Sequence, residues 1–312
     1  MKDKYGREID YLRVSVTQRC NLNCVYCGKA DCGKKESELP VETIVRAVEA
    51  FAACGIRKVR LTGGEPLVRS DICDIAAGIR AVPGIETLAL TTNAVLLRQY
   101  ARGLAEAGVD SINISLDSTD GSTYRKLTGA DVLERVIAGI GAAQQEGITK
   151  IKINAVLIRG VNDAQAEGLI RIAQNNPIDV RFIELMPFSD LGETADKRIT
   201  TDELLARFPF LTPLESEEKS TAAYYSADGF CGRVGFISPV SRKFCGDCNR
   251  VRLLSDGKVK PCLGCDAAYD ILPYLDDRET LLREIRRIIF EKPAGHSFEN
   301  HNTVHGLNRT GG

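Results

Sequence analysis

The sequence predicts an α/β fold in which six consecutive βα units form a partial barrel, followed by a smaller C-terminal domain. Three observations carry this. Short β-rich runs alternate with helical stretches through the first two thirds of the chain. The β runs are rich in Val, Ile and Leu, as expected of parallel strands covered on both faces. After about Ser189 the alternation stops.

Taken in order, the strands are expected at Leu12–Thr17, Lys58–Thr62, Thr87–Thr92, Ser111–Asp117, Lys150–Ile158 and Val180–Leu185. The helices are expected at Val41–Ala53, Asp71–Ala81, Arg98–Ala107, Val132–Glu146 and Asp163–Gln174, with Pro40 and Asp163 as starts and Gly55 and Gly108 as stops. This is a (βα)6, TIM-like partial barrel over residues 1–190. Residues 191–312 make the second domain, with a short helix at Asp202–Phe208, a cysteine-bearing region and an amphipathic helix at Arg278–Glu291. Thr62, Thr91, Asn93, Ser115, Asp117 and Glu184 sit near the C-terminal ends of strands, the face where parallel α/β folds place their sites. Some of them serve equally well as helix N-caps, Asp117 among them.

The composition is that of a globular protein. Of 312 residues 44% are apolar and 27% charged, with net charge −1, which gives no general attraction to nucleic acid or membrane. No apolar run is long enough to span a bilayer, and the charged opening "MKDKYGREIDYLRVSV" is unlike a secretion signal. A cytoplasmic location is expected. The 11 cysteines then point to metal or cluster ligation rather than to disulfides.

Cys20, Cys24 and Cys27 in "RCNLNCVYCG" have C-x3-C-x2-C spacing and follow the first strand. Three thiolates can hold a [4Fe–4S] cube by three corners and leave the fourth iron open to a small molecule. A zinc site completed by a distant residue, or by Cys32, is the alternative. The spacing, with Tyr26 before the third cysteine, resembles the radical S-adenosylmethionine (SAM) signature. "LTGGEPLVR" at 61–69 resembles the GGEP motif of that superfamily, in which Gly63 and Gly64 would let backbone carbonyls approach the SAM amino group.

A second set, Cys245, Cys248 and Cys262, has C-x2-C-x13-C spacing. Ser255-Asp256-Gly257 reads as the turn of a hairpin that folds Cys262 back toward the first two. With Cys265 added the set is close to a zinc ribbon; beside a radical SAM motif an auxiliary [4Fe–4S] cluster is favoured. Residues 242–260 hold six Lys or Arg against two Asp, a local balance of +4. Arg250 and Arg252, two apart on a strand, face the same way and suit a phosphate or purine; a solvated hairpin is the plainer reading.

The stretches "YGREIDYLRVSVTQRCNLNCVYC", "KVRLTGGEPLVR", "LALTTN", "INISLDS", "KINAVLIRGVND", "RFIELMPF" and "GFISPVSRKFCGDCNRVRLLSDGKVKPCL" and the final "GG" together resemble the radical SAM GTP 3′,8-cyclase (MoaA-type) family of molybdenum cofactor biosynthesis. The resemblance implies a lyase with a radical SAM core, closed by a C-terminal Fe–S domain. In it Cys20, Cys24 and Cys27 ligate the SAM cluster, and Cys245, Cys248 and Cys262 ligate a second [4Fe–4S] cluster. Tyr26, Gly64, Ser115 and Met186 would contact SAM. Arg13, Arg60, Thr91, Lys152 and the segment Arg250, Val251, Arg252 would contact GTP. Arg250 and Arg252 would act in catalysis together with Gly311 and Gly312.

The implied reaction splits SAM reductively to a 5′-deoxyadenosyl radical, abstracts hydrogen from ribose C3′ of GTP and closes a bond to guanine C8. The product is a 3′,8-cyclo-7,8-dihydroguanosine triphosphate. Implied partners are an external electron donor and a downstream cyclic pyranopterin monophosphate synthase, with no nucleic acid or membrane and with a homodimer left open. A lone basic residue within an apolar strand, as Arg13, Arg60 and Lys152 are, needs an anionic partner; Glu65 or Glu184 is the internal candidate. Relatives commonly carry Met where Gly28 stands and Gly where Ala94 stands. Cys32, Cys231 and Cys265 are additional to the motifs, and His296, His301 and His305 read best as a solvated tail, with a metal role as the alternative. The rival functions are a radical SAM peptide-modifying enzyme with an auxiliary cluster and a non-enzymatic zinc-binding module.

Overall fold

In the computed structural model of the chain the described residues are 1–27, 38–215, 220–296 and 298. Cys32, His301, His305, Gly311 and Gly312 lie outside them. The alternation expected from the sequence is present: β1 (Tyr11–Ser15), α1 (Val41–Ala53), β2 (Lys58–Thr62), α2 (Ile72–Arg80), β3 (Thr87–Thr92), α3 (Leu97–Glu106), β4 (Ser111–Ser115), α4 (Gly121–Thr128), α5 (Leu133–Gln145), β5 (Lys150–Val156), α6 (Ala166–Asn175) and β6 (Asp179–Ile183). The helices bury one apolar stripe each. In α1 it comprises Ile44, Ala47, Val48 and Phe51, at the spacing of one helical face.

Helix α4 was not legible beforehand, because "GSTYRKLT" is polar and short. Asp120, rather than Asp117, caps it by accepting from the Thr123 amide. Gly129, with φ +76°, ends it in the left-handed conformation that glycine adopts freely.

Beyond β6 follow α7 (Asp190–Glu193), α8 (Thr201–Arg207), β7 (Thr212–Pro213), β8 (Ala223–Ser226), β9 (Val234–Ile237), β10 (Arg250–Leu253), β11 (Lys258–Lys260), β12 (Tyr269–Asp270) and α9 (Arg278–Phe290). These strands flank the first six. The sheet order is β12-β11-β10-β1-β2-β3-β4-β5-β6-β9-β8-β7. β10 pairs with β1, and β9 with β6, in parallel. Among the described residues eight strands are therefore parallel neighbours, and the sheet is continuous across residue 190. One hydrophobic core joins both parts, with Leu12, Val59 and Ile153 packed in the same cluster as Val251, Val259 and Ile288. The antiparallel pair β10–β11 is the hairpin expected at Ser255–Gly257.

Residues 1–9 join the segment before β10 to the residues after α9. Asp3 accepts from the amides of Tyr5 and Arg7 and from Arg7 Nε at 2.6 Å. The Arg7 guanidinium reaches on to the carbonyls of Cys245 (2.8 Å), Ala294 (2.9 Å) and Pro293 (2.6 Å). The side chains of Arg7 and Asp3 are only 6% and 0% exposed. Removing one member of such a buried pair leaves an uncompensated charge, at a cost of about 3–5 kcal/mol. Arg7→Ala is therefore expected to lower the thermal midpoint by roughly 5–8 °C and Arg7→Lys to recover only part of it, as differential scanning calorimetry would show.

Candidate functional site

A cavity of about 670 Å³ runs through the parallel strands, and both cysteine triads line it. The first triad follows the C-terminal end of β1. Cys248 stands at the start of β10, and Cys262 follows β11, which runs antiparallel to β10. The two triads thus lie at opposite ends of the strands, separated by roughly 16 Å, the length of a five-residue strand.

The loop of the first triad is fixed from two sides. The amides of Asn23 and Val25 donate to the carbonyls of Thr128 and Leu127 at the end of α4. On the other side, the amides of Gly64 and Glu65 donate to Thr17 and Arg19, both at 2.8 Å. A Cβ on Gly64 would lie 2.3 Å from the Arg19 carbonyl oxygen and 2.5 Å from that of Gln18. The space that Gly63 and Gly64 leave open is thus taken by the chain's own cysteine loop. Gly63 and Gly64 also line the cavity.

Glu65 secures this corner. It accepts from Leu67 N, Thr92 Oγ1 and Asn93 N, the last two at 2.6 Å, and burial raises its carboxyl to about 7. Ala94 follows with φ +61°. A side chain there costs about 1–2 kcal/mol. Asp117 accepts from the Tyr26 hydroxyl (2.6 Å) and the Val156 amide (2.8 Å), and burial raises it to about 6. Burial, with Asp117 nearby, also pushes up the Cys24 thiol.

The floor between the triads is basic, and strand register explains why. Arg252 on β10 is the ladder partner of Arg13 on β1, which is the partner of Arg60 on β2. The three lie in one row, with strands about 4.8 Å apart, and all face the cavity. In the adjacent row Arg250, Tyr11 and Lys58 are partners in the same way. Burial, then Arg252, depresses Arg13 well below an ordinary guanidinium; burial, then Arg250, brings Arg252 to about 10. Arg60 donates through Nε to the Tyr11 hydroxyl and through Nη1 to the Leu90 carbonyl. It forms no ion pair among the described residues.

Lys152 donates to Tyr224 (3.1 Å) and stands 3.5 Å from Asp179. Neither carboxylate expected to neutralise these cations does so. Glu65 is engaged as described, and Glu184 binds the amides of Val240 and Ser241, both at 2.9 Å, away from the cavity lining.

Thr91, Ser115, Met186, Tyr26 and Gly64 all line the cavity, as do all six triad cysteines. The Thr91 hydroxyl is buried with no hydrogen-bond partner. Val251 differs: it is 1% exposed in the core, on the face away from the cavity, because side chains alternate along a strand. Cys265 does not line the cavity; its thiol donates to the carbonyls of Cys262 (3.3 Å) and Ala267 (3.8 Å). His296 is no solvated tail residue. It lines the cavity, bonds the Pro239 carbonyl at 2.7 Å and stacks on Phe298 at 3.9 Å.

Sequence reasoning missed Tyr11, Lys58, Arg181 and Lys292, which also line the cavity. Lys58 and Arg181 carried the same signal as Arg60, a cation inside an apolar strand. Lys292 carried none.

Among the described residues no group of three or more His, Cys, Asp or Glu is placed to hold a single metal ion. Each triad turns three thiols toward one cavity on independently fixed backbone, a lining that suits a [4Fe–4S] cube gripped by three corners.

Comparison with known proteins agrees with this geometry. The sequence pattern of the Radical SAM superfamily matches residues 14–173, and that of Molybdenum Cofactor Synthesis C matches residues 178–298. The GTP 3′,8-cyclase of Alkaliphilus oremlandii is 43% identical over the whole of both chains. That of Clostridium acetobutylicum is 40% identical over 97% of this chain and 96% of its own.

The chain belongs to the GTP 3′,8-cyclase family.

Among solved structures, Streptococcus suis SuiB bound to S-adenosylmethionine superposes with a TM-score of 0.62 at 17% identity, covering 89% of this chain and 68% of SuiB. That likeness is one of fold. No helix among the described residues is long and apolar enough to cross a membrane.

Two outcomes are expected of this site in the family member described here. Burial alone would raise the Tyr11 phenol, but Arg60, Arg13 and Lys58 outweigh it and bring it to about 7. The folded value lies below the unfolded one of about 10. The phenolate therefore contributes stability that is complete above pH 10 and is lost as pH falls through 7. Tyrosinate absorbance is expected to appear near pH 7 in the native protein and to be missing from Tyr11→Phe. Gly64→Ala is expected to displace the cysteine loop and halve the iron bound after anaerobic reconstitution, with the second triad still loaded.

Proposed function

We propose that the chain converts GTP to 3′,8-cyclo-7,8-dihydroguanosine 5′-triphosphate, the radical SAM lyase reaction that opens molybdenum cofactor biosynthesis. The observation that carries this reading is the row Arg252–Arg13–Arg60 on the cavity floor between two thiol triads. Cys20, Cys24 and Cys27 would hold one [4Fe–4S] cluster and Cys245, Cys248 and Cys262 the other. When bound, the clusters and SAM supply the one-electron chemistry that opens an unactivated C–H bond.

The chain's own residues bind, orient and shelter. Three guanidiniums in a row match several phosphate oxygens at once, with the bidentate geometry that Arg favours. Lys152 extends the cationic floor toward β6. The Thr91 hydroxyl, buried and unpartnered, is available to a polar ligand atom. At the other end Tyr26, Gly64, Ser115 and Met186 line the SAM-binding side, where Glu65 and Asp117 are the acidic groups, a suitable setting for a sulfonium and an ammonium. Fixing both ligands in one cavity supplies the proximity that a radical transfer needs.

The catalytic residues proposed are Arg250 and Arg252, with Gly311 and Gly312 on the family resemblance alone. Residues 1–190 would supply the SAM chemistry and part of the GTP site, and 191–312 the second cluster. An external electron donor, a downstream cyclic pyranopterin monophosphate synthase and a cytoplasmic location complete the proposal.

The test is anaerobic incubation with GTP, SAM and a strong reductant, read by mass analysis for 5′-deoxyadenosine and a cyclised nucleotide. Cys24→Ala is expected to abolish both products. Arg252→Ala is expected to weaken GTP binding by about 10–150-fold, the value of one hydrogen bond to a charged group. Unchanged GTP affinity in Arg252→Ala would remove the basis of the reading.

A further inference from the structure

We propose that Lys292 is a positioning residue for the second thiol triad: its buried ammonium is the counter-charge of that triad and sets the redox equilibrium of the cluster held there. The inference rests on the reading of Cys245, Cys248 and Cys262 as cluster ligands. Lys292 follows α9 and is among the largest fully buried side chains, at 2% exposed. Its Nζ donates to the carbonyl of Arg250 at 2.9 Å and to that of Pro261 at 2.6 Å. Arg250 lies two residues after Cys248, and Pro261 immediately precedes Cys262. One ammonium thus joins the backbone beside two of the three cysteines across the β10–β11 hairpin.

An ammonium has three N–H donors, and the third has no partner among the described residues. Lys292 also lines the cavity. It forms no ion pair with any carboxylate among the described residues, although a buried charge without one is costly by several kcal/mol. Burial lowers the Lys292 ammonium below its ordinary value; of its neighbours, Cys248 and Cys262 favour its charge, and Arg7 and Arg252 oppose it. The thiolates are therefore the only counter-charge these neighbours offer. The Arg7 guanidinium, which binds the carbonyls of Lys292 and Pro293, holds this segment in place.

Three thiolates leave an iron–sulfur cube net negative, and adding an electron increases that charge. Hydrogen bonds and nearby charge set the potential of such clusters. A fixed cation held on the backbone next to two of the cysteines favours the reduced form.

The experiment uses anaerobically reconstituted full-length protein and reads iron content, the electron paramagnetic resonance spectrum and the midpoint potential of each cluster. The variants are Lys292→Met, Lys292→Gln and Lys292→Arg. The neutral variants are expected to shift the second cluster toward its oxidised form by at least tenfold, 59 mV for one electron, with the first cluster unchanged in the same sample. Lys292→Arg is expected to stay near wild type.

A second cluster retained at wild-type potential in either neutral variant overturns the inference, because hydrogen bonding alone would then explain the lysine. If both neutral variants lose that cluster, Lys292→Arg decides: recovery supports the charge role, and failure to recover overturns it. Wild-type protein that binds only the first cluster would instead refute the ligand reading of the second triad.

Discussion

The parallel ladder between β10 and β1 is the constraint on which the site depends. It joins residues some 240 positions apart, from Tyr11↔Arg250 to Val14↔Leu253. Without it the first six strands would end at β1 as an open edge, and the second triad would have no fixed relation to the first. With it, the hairpin that carries Cys248 and Cys262 is held at the N-terminal end of the strands, while Cys20, Cys24 and Cys27 hold the C-terminal end. The cavity is the space between.

The same ladder creates an electrostatic problem. Like charges on directly opposed strand positions destabilise a sheet, and Arg252, Arg13 and Arg60 are three such neighbours in succession. The sheet tolerates them because the aliphatic core on its other face, Leu12, Val59 and Val251 among it, fixes the register whatever the cations prefer. A polyanion bound there converts repulsion into attraction, so binding and stability are linked. Of the acidic groups that line the cavity, Glu65 and Asp117 stand at the other end, where hydrogen bonds and burial hold them.

Each triad is positioned by backbone rather than by its cysteines. The first rests on the glycine pair after β2 and on the end of α4. The second rests on Arg7, which spends its donors on the carbonyl of Cys245 and on residues 292–294. Asp3 and Arg7 thereby connect the opening segment to the residues after α9.

The amino-acid sequence by itself determined the six βα units, because hydrophobic period and turn residues are local: α1, β2 and β3 lie where the periodicity puts them, to the residue. It also determined both cysteine triads, the β10–β11 hairpin and the shared face of Arg250 and Arg252, since spacing along a strand is a local property. Tertiary structure alone decided the arginine row, because register between β10, β1 and β2 depends on burying three apolar faces at once. It alone decided that Gly64 accommodates the cysteine loop, that polar α4 is helical and supports that loop, and that Glu184 faces away from the site. It brought Lys292 to the second triad across a hairpin and a helix. No periodicity encodes such meetings; they follow from one continuous sheet folding around one core.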